Sequence, residues 1–309
     1  MRKTFKLFCF AIIFLVELIS CNFRDKTSGK AIVINFSEEN KSTTNSQSND
    51  TVNKLSVAVA AIISPRETFS YYEDLLKYVS GKIDYKLEFK QRKTYQEVNR
   101  LIENNEVDLA FICSGAYIEG KDQNTMELLV VPVCDGHPYY QAYIIVHKSS
   151  AIQRFTDLKG KLFAFTDPMS NTGKLFADKR LHELGYTENS FFKSTLYSYA
   201  HDVSIQLVAK QMVDGATIDG LIFDYLKTTH PERVKNVRII EKSEYFGIPP
   251  VVVPLGLNPE LKEKLRNILI TMHEDASGKE ILDKLLIDKF VAGNDAEYNS
   301  LRKIKQELR

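Results

Sequence analysis

From Leu55 onward the chain switches repeatedly between two hydrophobic periods. Short apolar runs at 55–62, 85–89, 107–112, 128–133 and 142–147 predict strands. Between them, Tyr72, Leu75, Leu76 and Val79 recur at helical spacing and predict a helix over 69–79, and a second helix fits 95–103. The alternation then repeats: strand 162–165, helix 172–184, strand 193–197, helix 202–212, strand 220–223. A strand at 237–241, an apolar run at 251–255 and helices at 259–274 and 278–286 close the pattern. Alternating β and α elements predict an α/β fold with largely parallel sheets, and the two series predict two lobes. Ligands in such folds collect at the carboxyl ends of strands, where helix N-termini converge.

The residues before Leu55 follow another logic. MRKTFKLFCFAIIFLVELISC has a basic start, an apolar middle and a small residue before Cys21, which is a secretory signal. Its ending Leu18-Ile19-Ser20-Cys21 looks like a bacterial lipobox, so residues 1–21 form the leader and Cys21 carries the lipid. Residues 22–54, rich in Ser, Asn, Thr and charge, read as a flexible tether interrupted by an apolar patch at 31–34. Export leaves Cys113 and Cys134 as the remaining cysteines, either bridged or free. No clustered histidines accompany them, so no metal site or cofactor is expected. The formal net charge is +1; loss of Arg2, Lys3, Lys6 and Glu17 removes +2 and leaves −1. A near-neutral body has no general field for nucleic acid, so any anion site must be local.

One turn is unusual. Leu162-Phe163-Ala164-Phe165 breaks into Asp167-Pro168-Met169-Ser170-Asn171-Thr172-Gly173 before an amphipathic segment. Ser170, Asn171 and Thr172 can cap a helix, or they can hold an anion at its positive end. Both readings stand on the residues alone. His201-Asp202 lies where a strand gives way to a helix, with Asp202 read as the N-cap and His201 at the mouth of the sheet. Tyr95 opens a helix, Tyr140 precedes a strand, and Ser114-Gly115-Ala116-Tyr117 follows a strand end. Asp224 follows the apolar run 221–223 and could orient His201, contact a ligand or cap a helix. Gly-x-Ser-x-Gly, Walker and Gly-x-Gly-x-x-Gly patterns are absent from the sequence, so an enzyme using Ser170 or His201 is disfavoured.

Taken together, Thr94-Tyr95, VDLAFICSGAY (107–117), the block from His137 through Gly173 and AHDVSIQLVAKQMVDGATIDG (200–220) resemble the substrate-binding lipoproteins of phosphonate, phosphite and phosphate-type ABC importers. The resemblance runs from about Leu55 to about Leu286. It implies a type II-like periplasmic binding protein with hinged α/β lobes joined by two crossing strands, lobe 1 from 55–142 and 250–309 and lobe 2 from 143–249. It further implies that Ser170, Asn171, Thr172 and Gly173 hold the oxyanion head, with His201 adding charge assistance and Tyr95 and Tyr140 closing from the other lobe. Ser114, Tyr117 and Asp224 are further expected ligand contacts. The implied partners are a small anion, an ABC permease and, through Cys21, the membrane; the chain is expected to be a monomer on the extracytoplasmic side. A ligand sensor on the same fold is the alternative. This chain differs in carrying Asn171 mid-turn, where a hydroxyl is usual. It also has Gly247-Ile248-Pro249-Pro250 where aminophosphonate binders carry an acid, which argues for an unsubstituted or methyl-bearing oxyanion.

Overall fold

The computed structural model describes residues 32–35 and 53–309. The leader, Cys21 and most of the tether lie outside the described residues. Among the described residues fourteen strands run in chain order: β1 (Ile32–Asn35), β2 (Lys54–Val59), β3 (Lys86–Gln91), β4 (Leu109–Phe111), β5 (Met126–Val133), β6 (Tyr139–Tyr140), β7 (Ala142–His147), β8 (Leu162–Phe165), β9 (Ser194–Tyr197), β10 (Gly215–Asp219), β11 (Val237–Lys242), β12 (Phe246–Gly247), β13 (Val251–Pro254) and β14 (Lys289–Ala292). They make a seven-stranded sheet in the order β1-β3-β2-β4-β13-β5-β14 and a five-stranded sheet in the order β11-β7-β10-β8-β9. Each sheet anchors one lobe. The chain crosses between them twice, and the two crossings pair antiparallel as β6 and β12, Phe246 opposite Tyr140. The sheets are mixed: β3-β2-β4 and β10-β8-β9 run parallel, while β13 and β7, the strands next to the crossings, are antiparallel to their neighbours.

Burial follows the apolar pattern. In lobe 1, Leu75, Leu76 and Val79 of the helix Pro65–Lys82 pack with Leu87 and Phe89 of β3. Lobe 2 is built on aromatic stacking, with Phe163 over Phe192 at 4.5 Å and Phe155 over Phe191 at 5.3 Å between ring centroids. Fully buried rings such as these contribute about 3–5 kcal/mol each against truncation to alanine.

The structure departs from the sequence pattern in five places. Residues 220–223 are not a strand: β10 is Gly215–Asp219, and Leu221, Ile222 and Phe223 belong to the helix Gly220–Thr229. Asp219 caps that helix through Leu221 N–H, and Phe223 and Leu226, three apart, form its buried face. A short apolar run fits either period, so tertiary burial decided. Residues 114–117 open the helix Ser114–Asp122 rather than a loop. Ile32–Asn35 pairs with β3 as an edge strand, so the expected tether is interrupted where its apolar patch lies. At the end of the chain β14 and the helix Asn299–Glu307 follow the last expected helix. Asp202 is not an N-cap: Ala200 holds that position, and the Asp202 carboxylate instead accepts from Ser64 N–H and Oγ across the cleft, both at 2.8 Å. Cys113 and Cys134 are free thiols.

The lobes meet closely at Gly115, where an added Cβ would collide with the carbonyl oxygen of Met169 and stand 2.9 Å from Asn171 N. Backbone on both sides leaves little room to relax, so overpacking of about 1–3 kcal/mol falls on the interlobe seam. Gly115→Ala should keep native far-UV circular dichroism yet enlarge the radius of gyration in small-angle scattering. An unchanged radius would mean that the lobes do not close against each other at this point.

Candidate functional site

The turn after β8 is wider than an α-helical start. Ser170 is the N-cap, Asn171–Leu175 form a single π-helical turn closed by Leu175 N–H to Ser170 O at 3.0 Å, and the α-helix Phe176–Glu183 follows. Such turns are frequent at functional sites because they redirect side chains. Ser170 Oγ accepts from Gly173 N–H at 2.9 Å, and Thr217 Oγ1 donates to the Thr172 carbonyl at 2.5 Å. Gly173 is required by space: a Cβ there would lie 2.5 Å from Thr166 Cβ. The serine oxygen accepts in shaping the turn and keeps its O–H proton to donate. Thr172 Oγ1 has no hydrogen-bond partner among the described residues.

His201 begins the helix His201–Ala209, its N–H donating to Ile62 O of the other lobe at 2.9 Å. Its Nδ1 accepts from Asp219 N–H at 3.0 Å and lies 3.0 Å from Thr166 Oγ1. A ring nitrogen that accepts a backbone N–H carries no proton, so in the neutral ring the proton sits on Nε2. Desolvation lowers the His201 pKa from 6.5 to about 3. The expected charge assistance is therefore corrected: burial of the imidazole favours its neutral form, and it offers one N–H.

Tyr95 enters from lobe 1 at the start of the helix Tyr95–Glu103. Thr94 and Glu97 close a capping box there, and Tyr95 N–H donates across the seam to Asp167 Oδ2 at 3.1 Å. Tyr140, on the first crossing, bonds through its hydroxyl to Ser114 Oγ at 2.5 Å and to Asn171 Nδ2 at 3.1 Å. Burial is the main cause that pushes both phenols well above their ordinary pKa, so they remain protonated donors.

Four buried atoms here have no hydrogen-bond partner among the described residues: Tyr95 OH, Thr172 Oγ1, His201 Nε2 and Asn171 Oδ1. Three of them carry protons to donate. Leaving a buried polar group unsatisfied costs about 1–3 kcal/mol. Such a set at one seam, drawn from both lobes, is what an acceptor-rich ligand would satisfy.

Not every expected contact joins this set. Tyr117 turns away, donating to Asp295 Oδ1 at 2.6 Å and packing on Tyr298. Asp224 is exposed on the helix Gly220–Thr229 and accepts from Tyr143 OH at 2.8 Å, because the strand it was expected to follow ends five residues earlier at Asp219. Ser114 acts through Tyr140. Asp219 was missed: buried at the end of β10, it orients His201 through its N–H, and desolvation raises its carboxyl from 3.8 to about 7. The sequence signal for it was an acid before a glycine, Asp219-Gly220, after the short run Ala216-Thr217-Ile218. Thr166 and Thr217 were also missed, since both act by holding backbone or ring in place.

Comparison with known proteins bears on the same stretch. The family described as ABC transporter, phosphonate, periplasmic substrate-binding protein matches residues 57–298. The phosphonates-binding periplasmic protein of Escherichia coli K12 is 28% identical over 205 residues, 65% of this chain and 60% of that protein. The phosphate-import protein PhnD of Mycolicibacterium smegmatis is 26% identical over 208 residues, 64% of this chain and 65% of that protein. The chain thus aligns with less than two thirds of either relative's length. A binding-protein component of an ABC phosphonate transporter from Pseudomonas aeruginosa superposes with a TM-score of 0.78 at 26% identity, covering 83% of this chain and 86% of that one.

The buried imidazole makes stability depend on pH. The unfolded chain takes up a proton on His201 below about pH 6.5 that the folded protein refuses until about pH 3, so this contribution is full above 6.5 and lost as pH falls. Asp219 works in the opposite sense, its contribution being full below 3.8 and lost as pH rises through about 7. Wild type should therefore show little net slope from this pair in the overlap. The stability advantage of wild type over His201→Gln should shrink by about 1.4 kcal/mol per pH unit between pH 6.5 and 4. Urea unfolding at several pH values measures it, and a constant difference would contradict a buried neutral ring.

Proposed function

The chain belongs to the periplasmic phosphonate substrate-binding family of ABC transporters, and we propose that it captures a small phosphorus oxyanion between its lobes for delivery to an ABC permease. In this reading the folded body is held by lipid on Cys21 at the extracytoplasmic face of a bacterial membrane, and it binds without chemical change to the ligand. The observation that carries the proposal is the group of unpartnered buried donors, Tyr95 OH from one lobe and Thr172 Oγ1 and His201 Nε2 from the other. A tetrahedral oxyanion supplies several acceptor lone pairs pointing in different directions, so one ligand head can satisfy donors that converge from two sides. Hydrogen bonds to a charged acceptor are worth about 1.5–3 kcal/mol each, enough for neutral donors to hold it in a dry cleft. Ser170 Oγ accepts from Gly173 N–H, which supports a shaping role and not a nucleophilic one.

The test follows from the orphaned hydroxyls. Tyr95→Phe and Thr172→Val each remove a donor that costs the ligand-free protein stability. Each should leave the thermal midpoint unchanged or raised, and each should weaken methylphosphonate or phosphate binding by roughly 10- to 100-fold in calorimetry. Loss of stability with unchanged affinity would assign these hydroxyls to the core and overturn the site.

A further inference from the structure

We propose that the site selects an oxyanion that still carries a proton, and that Asn171 recognises this proton by accepting its hydrogen bond; the inference rests on the phosphorus-oxyanion reading and deepens it. Beside the three unpartnered donors of the seam stands one unpartnered acceptor, Asn171 Oδ1. The donors call for acceptors, which any oxyanion supplies. The amide oxygen calls for a donor, which a fully ionised oxyanion lacks.

This acceptor is held in place by the other half of its amide. Asn171 is fully buried, and its Nδ2 donates to Tyr140 OH at 3.1 Å, which is itself 2.5 Å from Ser114 Oγ. An amide whose nitrogen is so engaged turns its oxygen away from that pair. No described residue donates to it. Asn171 directly precedes Thr172 in the π-helical turn, so this acceptor and one of the donors leave the backbone one residue apart. Thr217 and Asp219, two residues apart on β10, hold the Thr172 carbonyl and the His201 ring. Tyr140, the partner of the amide nitrogen, also acts electrostatically on the Tyr95 phenol. The four orphaned atoms thus belong to one connected cluster.

Tetrahedral oxyanions of similar size differ here by their proton. Phosphate keeps at least one P–O–H group throughout the neutral range. An alkylphosphonate keeps its single P–O–H only below its second ionisation, near neutrality, and sulfate keeps none. A bare oxygen facing Asn171 Oδ1 sets lone pair against lone pair in a dry site. Both stay unsatisfied, which should weaken binding roughly 10- to 100-fold. Net charge cannot draw this distinction, because sulfate and the phosphate dianion carry the same charge.

The other titratable groups at the seam do not produce the same signature. His201 is neutral above about pH 3, and burial raises the Asp167 carboxyl, the Tyr95 and Tyr140 phenols and the Cys113 thiol. Asp219, raised to about 7, does ionise in the neutral range, but its charge opposes every bound anion. Comparing two ligands at each pH separates its effect from that of the ligand proton.

Calorimetry on the full chain in detergent, with phosphate, methylphosphonate and sulfate at pH 6 and pH 8.5, tests the inference. Methylphosphonate should lose at least about fivefold against phosphate between the two pH values, and sulfate should bind at least about tenfold more weakly than phosphate at both. Asn171→Ser, whose hydroxyl can donate or accept, should flatten the methylphosphonate ratio and admit sulfate. The wild-type ratios decide the matter should that variant fold poorly. Either a constant methylphosphonate-to-phosphate ratio or sulfate binding as tightly as phosphate, with Thr172→Val still weakening phosphate binding, would overturn proton selection and leave the donor set standing. No binding of phosphate or methylphosphonate at either pH would remove the oxyanion reading, and the inference with it.

Discussion

Burying donors between two lobes with no partner among the described residues is the constraint on which this structure turns. Tyr95 OH, Thr172 Oγ1 and His201 Nε2 are buried without an acceptor among the described residues, at a cost of about 1–3 kcal/mol apiece. Everything around them is arranged so that they cannot satisfy themselves. Ser170 Oγ is tied to Gly173 N–H, Thr217 holds the Thr172 carbonyl, and Asp219 N–H occupies His201 Nδ1. Supporting hydrogen bonds thus fix the orientation of each donor and leave its proton free for an acceptor from outside.

The same seam is held by contacts that depend on both lobes. Ser64 to Asp202, Ile62 O to His201 N–H and Tyr95 N–H to Asp167 all cross it. All three use residues that belong to the donor set, His201 and Tyr95, or sit next to it in sequence, Asp202. The interlobe contacts and the donor set therefore share residues: His201 donates its own N–H to lobe 1. The clamp donors are neutral, and the buried carboxyl nearest the clamp histidine is raised toward neutrality. In the proposed role, affinity for an anion would come from directed hydrogen bonds in a dry cleft rather than from a positive field.

Much of this was legible along the chain. The turn at 170–173 announced itself because cap-forming side chains and a glycine are a local code, and Tyr95 was expected at a helix start, which the structure closes with a Thr94–Glu97 capping box. The strands at 142–147 and 162–165 and the helix 95–103 coincide with the observed elements, since each carries a clear period and a local stop signal. The run at 221–223 misled because three apolar residues fit a strand or a helix equally well. Its misassignment moved the candidate acid from Asp219 to Asp224.

By itself, then, the sequence determined the alternation that yields two α/β lobes, the position of the Ser170–Gly173 turn, and Tyr95, Thr172 and His201 as residues of the seam. Only the tertiary structure decided which donors stay free. Ser170 and Thr172 are equivalent in sequence, yet one hydroxyl oxygen accepts a cap bond and the other has no partner among the described residues. Tyr117 and Tyr140 are both fully buried tyrosines, yet one meets Asp295, 178 residues away, and the other meets the clamp. His201 is neutral because burial excludes water and a backbone N–H from β10 takes its other nitrogen. Hydrogen-bond capacity is a property of a residue, but whether it is spent depends on neighbours brought from far along the chain, and no local pattern encodes them.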